Sequence, residues 1–241
     1  MYNQRVERSA GYAGILFIVL IFVQIFAPGI PPPSESTPAD IGAFMAAHRT
    51  AWLFANWLTF PVVVLFLWFA VQLRAFLRLA PQVDDGLPTY ALAGAIATAG
   101  AEVVWASISM TLAFHPASAL GDNVVRALYD VNNLLGAMFT APLVATMFAT
   151  SHSGRRHGSL PAALVWWGYL SALLMGISTL SIFFTDGFLA LAGVGALAIG
   201  FLPFAVWTVW ISIVLIRVPR GVSGDGVVVR AAEVDVVTTT V

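Results

Sequence analysis

The chain has 241 residues, of which 59% are apolar and only 10% charged, whereas soluble domains carry about 25% charged residues. So few charges cannot cover the surface of a soluble protein of this length, and a net charge of −1 offers nothing to recruit nucleic acid. The absence of cysteine excludes disulfides, thiolate metal sites, iron–sulfur clusters and cysteine nucleophiles. All eleven basic residues are Arg, which reads as the codon usage of a GC-rich bacterial genome.

Crossing about 30 Å of hydrocarbon takes roughly 20 apolar residues in a helix. Six stretches meet that length: about 10–29, 51–73, 88–114, 124–149, 161–183 and 187–216. The predicted fold class is therefore all-α, a polytopic membrane bundle of six transmembrane helices. Span one follows Arg5 and Arg8, but its apolar run is longer than a signal-peptide core. No A-x-A-like site precedes Pro31, Pro32 and Pro33, so a retained anchor is expected. In the following outer loop, 30–50, Thr37-Pro38-Ala39-Asp40 has the pattern of a helix start and predicts a short surface helix over 38–49. The brief turn Thr185-Asp186-Gly187 predicts a tight hairpin, with spans five and six as antiparallel neighbours. Residues 218–241 read as a flexible tail, with 227–229 and 234–237 as candidate edge-strand segments.

Pro61, Pro142 and Pro203 fall inside spans two, four and six, each freeing a carbonyl one turn earlier, at Trp57, Met138 and Ile199. Small residues four apart mark faces where helices can approach closely in lipid: Ala91, Ala95 and Ala99, then Gly168, Ala172 and Gly176, then Ala192, Ala196 and Gly200.

Arginine placement predicts the orientation. With the N-terminus inside, nine arginines lie on the cytoplasmic side (Arg5, Arg8, Arg74, Arg78, Arg155, Arg156, Arg217, Arg220 and Arg230) and two outside, Arg49 and Arg126. Both termini are then cytoplasmic and the location is the plasma membrane, the inner one of a bacterial cell. Membrane lipids are the first expected partners. His152 and His157 flank Arg155-Arg156 in a turn suited to anionic headgroups.

Glu102 is the residue most suggestive of function. It lies fourteen residues from Pro88 and thirteen from His115, hence roughly 20 Å from either end of span three. An ionised group at that depth costs at least ~2.5–3.5 kcal/mol, so Glu102 should be neutral, paired or facing water. Thr98, Trp105 and Ser109 share its helical face. A second cluster opens span four. Asp122, Arg126 and Asp130 are spaced so that Arg126 can bridge both acids along one face, with Asn132 and Asn133 beside them. Asn56 of span two lies at a similar depth. The candidate ligand or proton site is accordingly Glu102, Asp130, Asn133 and Asn56, around an outward-facing polar cavity. The alternative is structural: an Arg126–Asp130 pair, interhelical amide hydrogen bonds and a buried neutral acid.

No catalytic residue is nominated. The sequence lacks a phosphate loop, a G-x-S-x-G elbow and an H-E-x-x-H helix, and Ser107 and Ser109 have no histidine at their depth. His48 and His115 could approach Asp40 or Asp122, but without ligand spacing they read as solvated loop residues. No metal or other cofactor is expected.

Three stretches resemble an uncharacterised family of multi-span actinobacterial membrane proteins: Ala39-Asp40-Ile41-Gly42-Ala43-Phe44 followed by His48-Arg49, Gly158-Ser159-Leu160-Pro161 leading to Trp166-Trp167-Gly168-Tyr169-Leu170, and Leu202-Pro203-Phe204-Ala205-Val206-Trp207 with Trp210 and Arg217. The resemblance implies the architecture and carries no activity or catalytic residues. The leading functional reading is a noncatalytic membrane protein that binds or translocates a proton or small polar solute near Glu102. The competing readings are an accessory or scaffold subunit with a membrane-protein partner, and a membrane-embedded enzyme acting on lipid.

Overall fold

The computed structural model describes residues 4–79, 86–115, 117–185, 187–191 and 193–217. The tail expected at 218–241, with its candidate strand segments, lies outside the described residues, as does Asp186. Among the described residues the structure is all-helical. In chain order the helices are α1 (Gln4–Phe26), α2 (Pro38–Ala47), α3 (Arg49–Trp57), α4 (Thr59–Leu77), α5 (Gly86–Phe114), α6 (Ala117–Leu120), α7 (Asp122–Met138), α8 (Thr140–His157), α9 (Ala162–Ser178) and α10 (Val194–Arg217). A 3₁₀ turn, Thr179–Phe183, extends α9. Six of the resulting segments are long and apolar enough to cross a membrane.

The long helices pack as a closed ring in sequence order: α1 on α4, α4 on α5, α5 on α8, α8 on α9, α9 on α10, and α10 back on α1. Contacts at the ends show how the ring is threaded. Trp68 of α4 donates to Ser9 of α1, Arg74 of α4 donates to Thr89 of α5, and the Arg155 guanidinium of α8 lies 5.3 Å over the Trp166 ring of α9. Arg8, Arg74, Arg78, Arg155, Arg156 and Arg217 thus gather at one end, called proximal below. Arg49 and Arg126 lie at the other, distal end, where Arg126 holds the loop carbonyl of Ser36.

Ring closure in lipid depends on backbone proximity. At Gly94 a methyl group would come within 2.6 Å of the Pro142 carbonyl oxygen and of Thr146 Oγ1, so α5 and α8 can meet only where that side chain is missing. Thr146 uses the closeness to donate to the Ala91 carbonyl at 3.1 Å. Gly168 makes room in the same way for Ser151 and Trp207, whereas Gly176 faces open space and belongs to no contact. The side chains of Ala192 and Ala196 lie outside the described ones. Phe69, Leu73, Leu77, Met147, Leu164, Ile211 and Leu215 fill the proximal interior, each at most 3% exposed. Leu16, Val19, Val64, Ile96, Val103, Phe148 and Leu173 point outward, the arrangement a lipid solvent selects.

The prolines interrupt the spans in a regular way. Pro61 and Pro142 each occupy the third position of a helix, α4 and α8, that follows a one-residue break at Leu58 or Phe139. The carbonyls of Trp57 and Met138 lose their usual donors there, while Leu58 and Phe139 keep right-handed helical angles, so each span runs on through the interruption. Pro203 stays within α10. Its own carbonyl accepts from Trp167 Nε1 and Ser171 Oγ, both at 3.1 Å, which ties α10 to α9.

The start of span six differs from expectation. Spans five and six are neighbours, but α10 begins at Val194, and the residues before it form no tight hairpin. Leu191 N–H bonds the Phe184 carbonyl and Gly193 N–H the Ala190 carbonyl, closing a compact non-helical loop. The apolarity of this stretch suggests helix, but Gly187 adopts φ +81°, a left-handed conformation that does not continue a right-handed helix. Non-helical backbone at such a place is tolerated where it is covered by protein or lines a cavity, and here Leu191 and Gly193 line one.

Candidate functional site

Helix α2 sets the distal end. Thr37 Oγ1 accepts from Asp40 N–H, and the Asp40 carboxylate accepts from Thr37 N–H, a reciprocal cap with Pro38 in the first helical position. The helix is docked and not merely superficial. Ile41 and Met45 are buried against Trp52 of α3, Leu112 of α5, and Val125 and Tyr129 of α7. The Tyr129 hydroxyl donates to the Pro32 carbonyl, and Arg49 Nε donates to the Ala113 carbonyl at 3.0 Å. Together these contacts fix the rotation of α7, because Val125, Tyr129 and Asn132, spaced by four and three residues, form its buried face.

Inside this frame is a cavity of about 370 Å³, enclosed by the distal halves of all six spans and by the loop segments around Pro28–Pro31 and Leu191–Gly193. Most of its wall is apolar, including Phe17, Phe66, Phe201 and Phe204. The polar part includes Gln24, Asn56, Thr98, Glu102, Asn132 and Asn133, with the hydroxyls of Tyr129, Thr140, Ser178 and Ser181 and the indoles of Trp52 and Trp105. Glu102 is 8% exposed, Gln24 7%, and Asn56 and Asn132 each 4%. Gln24 Nε2 donates to Thr59 Oγ1 at 2.8 Å and to Glu102 Oε1 at 3.3 Å, which links spans one, two and three at one point. Asn56 Nδ2 donates back to the Trp52 carbonyl at 2.8 Å, and Trp52 Nε1 donates to the Ser109 carbonyl at 3.0 Å. Trp105 Nε1 donates to the Asn132 carbonyl at 3.0 Å.

These donations use the amide nitrogens of Gln24 and Asn56 and leave their oxygens over. Gln24 Oε1, Asn56 Oδ1, Asn132 Oδ1 and Asn133 Nδ2 are buried with no hydrogen-bond partner. Unpartnered buried polar groups are costly; among the described residues eleven such side-chain atoms occur, and these four share the wall of one cavity. No Arg or His lines the cavity, and among the described residues Gln24 is the one donor to the Glu102 carboxyl.

Of the four residues nominated from sequence, Glu102, Asn56 and Asn133 line this cavity and Asp130 does not. Asp130 lies on the flank of α7 with its side chain 42% exposed, paired to Arg126 at 2.9 Å. The expected bridge over two acids is also absent. Arg126 sends its other arm to the Ser36 carbonyl at 3.0 Å, and Asp122, one turn earlier, is exposed. The physical reason is rotational: once Tyr129 and Asn132 face inward, a residue directly after Tyr129 is turned about 100° away. Two contributors went unnominated. Asn132, flagged beside the cluster, takes the inward position, and Gln24 was passed over altogether. Gln24 carried a usable signal, as the one amide in the apolar run of span one.

Elsewhere, His48 stacks on Phe44 with ring centroids 4.3 Å apart, and His115 stacks edge-on with Phe114. Asp40 is committed to the α2 cap. Among the described residues no group of three or more His, Asp or Glu is placed to hold a metal ion.

Fold and site together define a multi-pass helical bundle with an acidic chamber in one half. Compared with protein-family models, curated proteins and solved structures, the chain has no match in any of the three. The resemblance read from residues 39–49, 158–170 and 202–217 therefore rests on those residues alone.

Proposed function

We propose that this is a noncatalytic integral membrane protein whose distal chamber binds a small polar solute or a proton and passes it toward Glu102. In this reading the arginine-rich proximal end faces the cytoplasm, both termini are inside, and the chamber opens to the outside of the plasma membrane. The carrying observation is the chamber wall itself, a single carboxyl with four unpartnered buried amide atoms around about 370 Å³ of space. A structural polar network would satisfy its members internally. One that leaves acceptors over beside a cavity is built for a guest. The volume lies within the roughly 300–1,000 Å³ typical of small-molecule sites. The scaffold reading has no comparable feature behind it.

The test is to fill the chamber. Ala99 is 4% exposed and on its wall, whereas Ile96, one turn earlier on the same helix, is 55% exposed on the outer face. The protein, gently extracted from its own membranes, is analysed by mass spectrometry for retained small molecules. Wild type and Ile96→Trp are expected to carry the same bound species, and Ala99→Trp to have lost it. Equal retention in Ala99→Trp would overturn the proposal, as would a stoichiometric partner protein in place of any small molecule.

A further inference from the structure

The chemistry of the chamber wall narrows what the guest can be. Resting on the chamber reading above, we infer that the ligand is an amphipathic organic monocation: an ammonium group bearing N–H bonds, attached to a compact apolar body. Three observations lead there independently. First, the unpartnered atoms are mostly acceptors. Gln24 Oε1, Asn56 Oδ1 and Asn132 Oδ1 all lack a donor, and the orientation of the Asn56 amide is fixed because its nitrogen donates to the Trp52 carbonyl, which can only accept. Each of these three oxygens can accept a hydrogen brought by the guest. A quaternary ammonium has none to give.

Second, the charge is unbalanced by one. Among the described residues Glu102 is the one acidic side chain on the wall, and no Arg or His accompanies it there. A carboxyl at mid-membrane depth is stabilised by an opposite charge brought close to it. A guest with one positive charge supplies that charge, and a dication would carry one in excess. Third, the rest of the wall is aromatic and aliphatic. Phe17 and Phe66 stack with centroids 4.9 Å apart, and Phe204 meets Phe17 edge-on at 6.2 Å, which makes an apolar floor beside the polar patch. Aromatic faces also attract a cation that has shed its water. A small hydrophilic cation such as a hydrated metal ion would waste this surface, and a neutral lipid tail would leave the amides unsatisfied.

The experiment compares three probes that share one body: phenethylammonium, phenethyl alcohol and phenethyltrimethylammonium. Each is titrated into the full-length protein in nanodiscs, with binding read by calorimetry and by the fluorescence of Trp52 and Trp105. The inference expects phenethylammonium to bind roughly 10- to 100-fold more tightly than either relative, the range for hydrogen bonds to a charged group. Glu102→Gln should abolish that preference while keeping weak alcohol binding, which also shows that the variant is folded. Asn56→Ala should reduce ammonium affinity about tenfold or less, as for loss of one acceptor. Alcohol binding equal to ammonium binding in the wild type overturns the cation assignment and leaves the chamber reading standing. Preference for the trimethyl probe overturns the requirement for N–H donors. If none of the three probes binds, and Ala99→Trp loses no bound species, both the assignment and the chamber reading fall.

Discussion

At the scale of single residues, the contact between Gln24 and Glu102 joins positions 78 apart in sequence. Each was visible in the sequence as a polar group in an apolar run, but only Glu102 could be ranked. A carboxyl at mid-span has no inexpensive alternative, whereas an amide four residues before Pro28 could as easily reach the interface. What brings the two together is ring closure, which no local pattern encodes. Replacing Gln24→Leu removes the donor to both Thr59 and Glu102 without changing the fold's apolar volume greatly. It is expected to destabilise the protein by about 1–3 kcal/mol, the cost of leaving buried acceptors unpaired, read as a lower thermal midpoint in detergent. An unchanged midpoint would mean that water already serves those groups. Asp130 teaches the complementary lesson: its pairing with Arg126 follows from spacing, but its direction depends on how α7 is rotated by the docking of α2.

At the scale of helices, the apolar lengths and the Thr37 cap were readable because both rest on local chemistry. Prolines announced interruptions, although their form was not legible. Pro61 and Pro142 restart helices after Leu58 and Phe139, so two spans are built of two helices each. Segment 122–157 spans about 54 Å as helix, longer than the hydrocarbon is thick, with α7 framing the chamber and α8 packed on α5. Small-residue faces were only partly informative, since spacing marks a helical stripe but not what meets it. Gly94 is closed over by α8 and Gly176 is open. Gly94→Ala is therefore expected to cost about 1–3 kcal/mol through forced separation of the two helices. Gly176→Ala should be neutral or stabilising by about 0.5–1 kcal/mol through reduced backbone freedom. Thermal midpoints of the two variants, measured side by side, check the contrast, and equal effects would contradict the packing described.

At the scale of the whole molecule, an apolar proximal core and a distal chamber divide the bundle into a closed half and a hollow half. The sequence places Glu102, Asn56, Asp130 and Asn133 at compatible depths. It could not show that Leu191 and Gly193 line the same space, because the composition there imitates a helix. The division also gives the arginine distribution a role, anchoring the filled half at one interface while the hollow half opens at the other. The absence of cysteine in the chain makes this directly measurable. Single-cysteine proteins Glu35→Cys, Ala99→Cys and Ile96→Cys, in sealed vesicles of known orientation, are exposed to a small membrane-impermeant thiol reagent added from one side at a time. Glu35→Cys marks the distal face. The account predicts that Ala99→Cys reacts from that same face, which is the outer one, and that Ile96→Cys, turned toward lipid, reacts from neither. An Ala99→Cys protein that stays unmodified, or is modified only from the arginine-rich side, would contradict the claim of an outward-facing polar chamber.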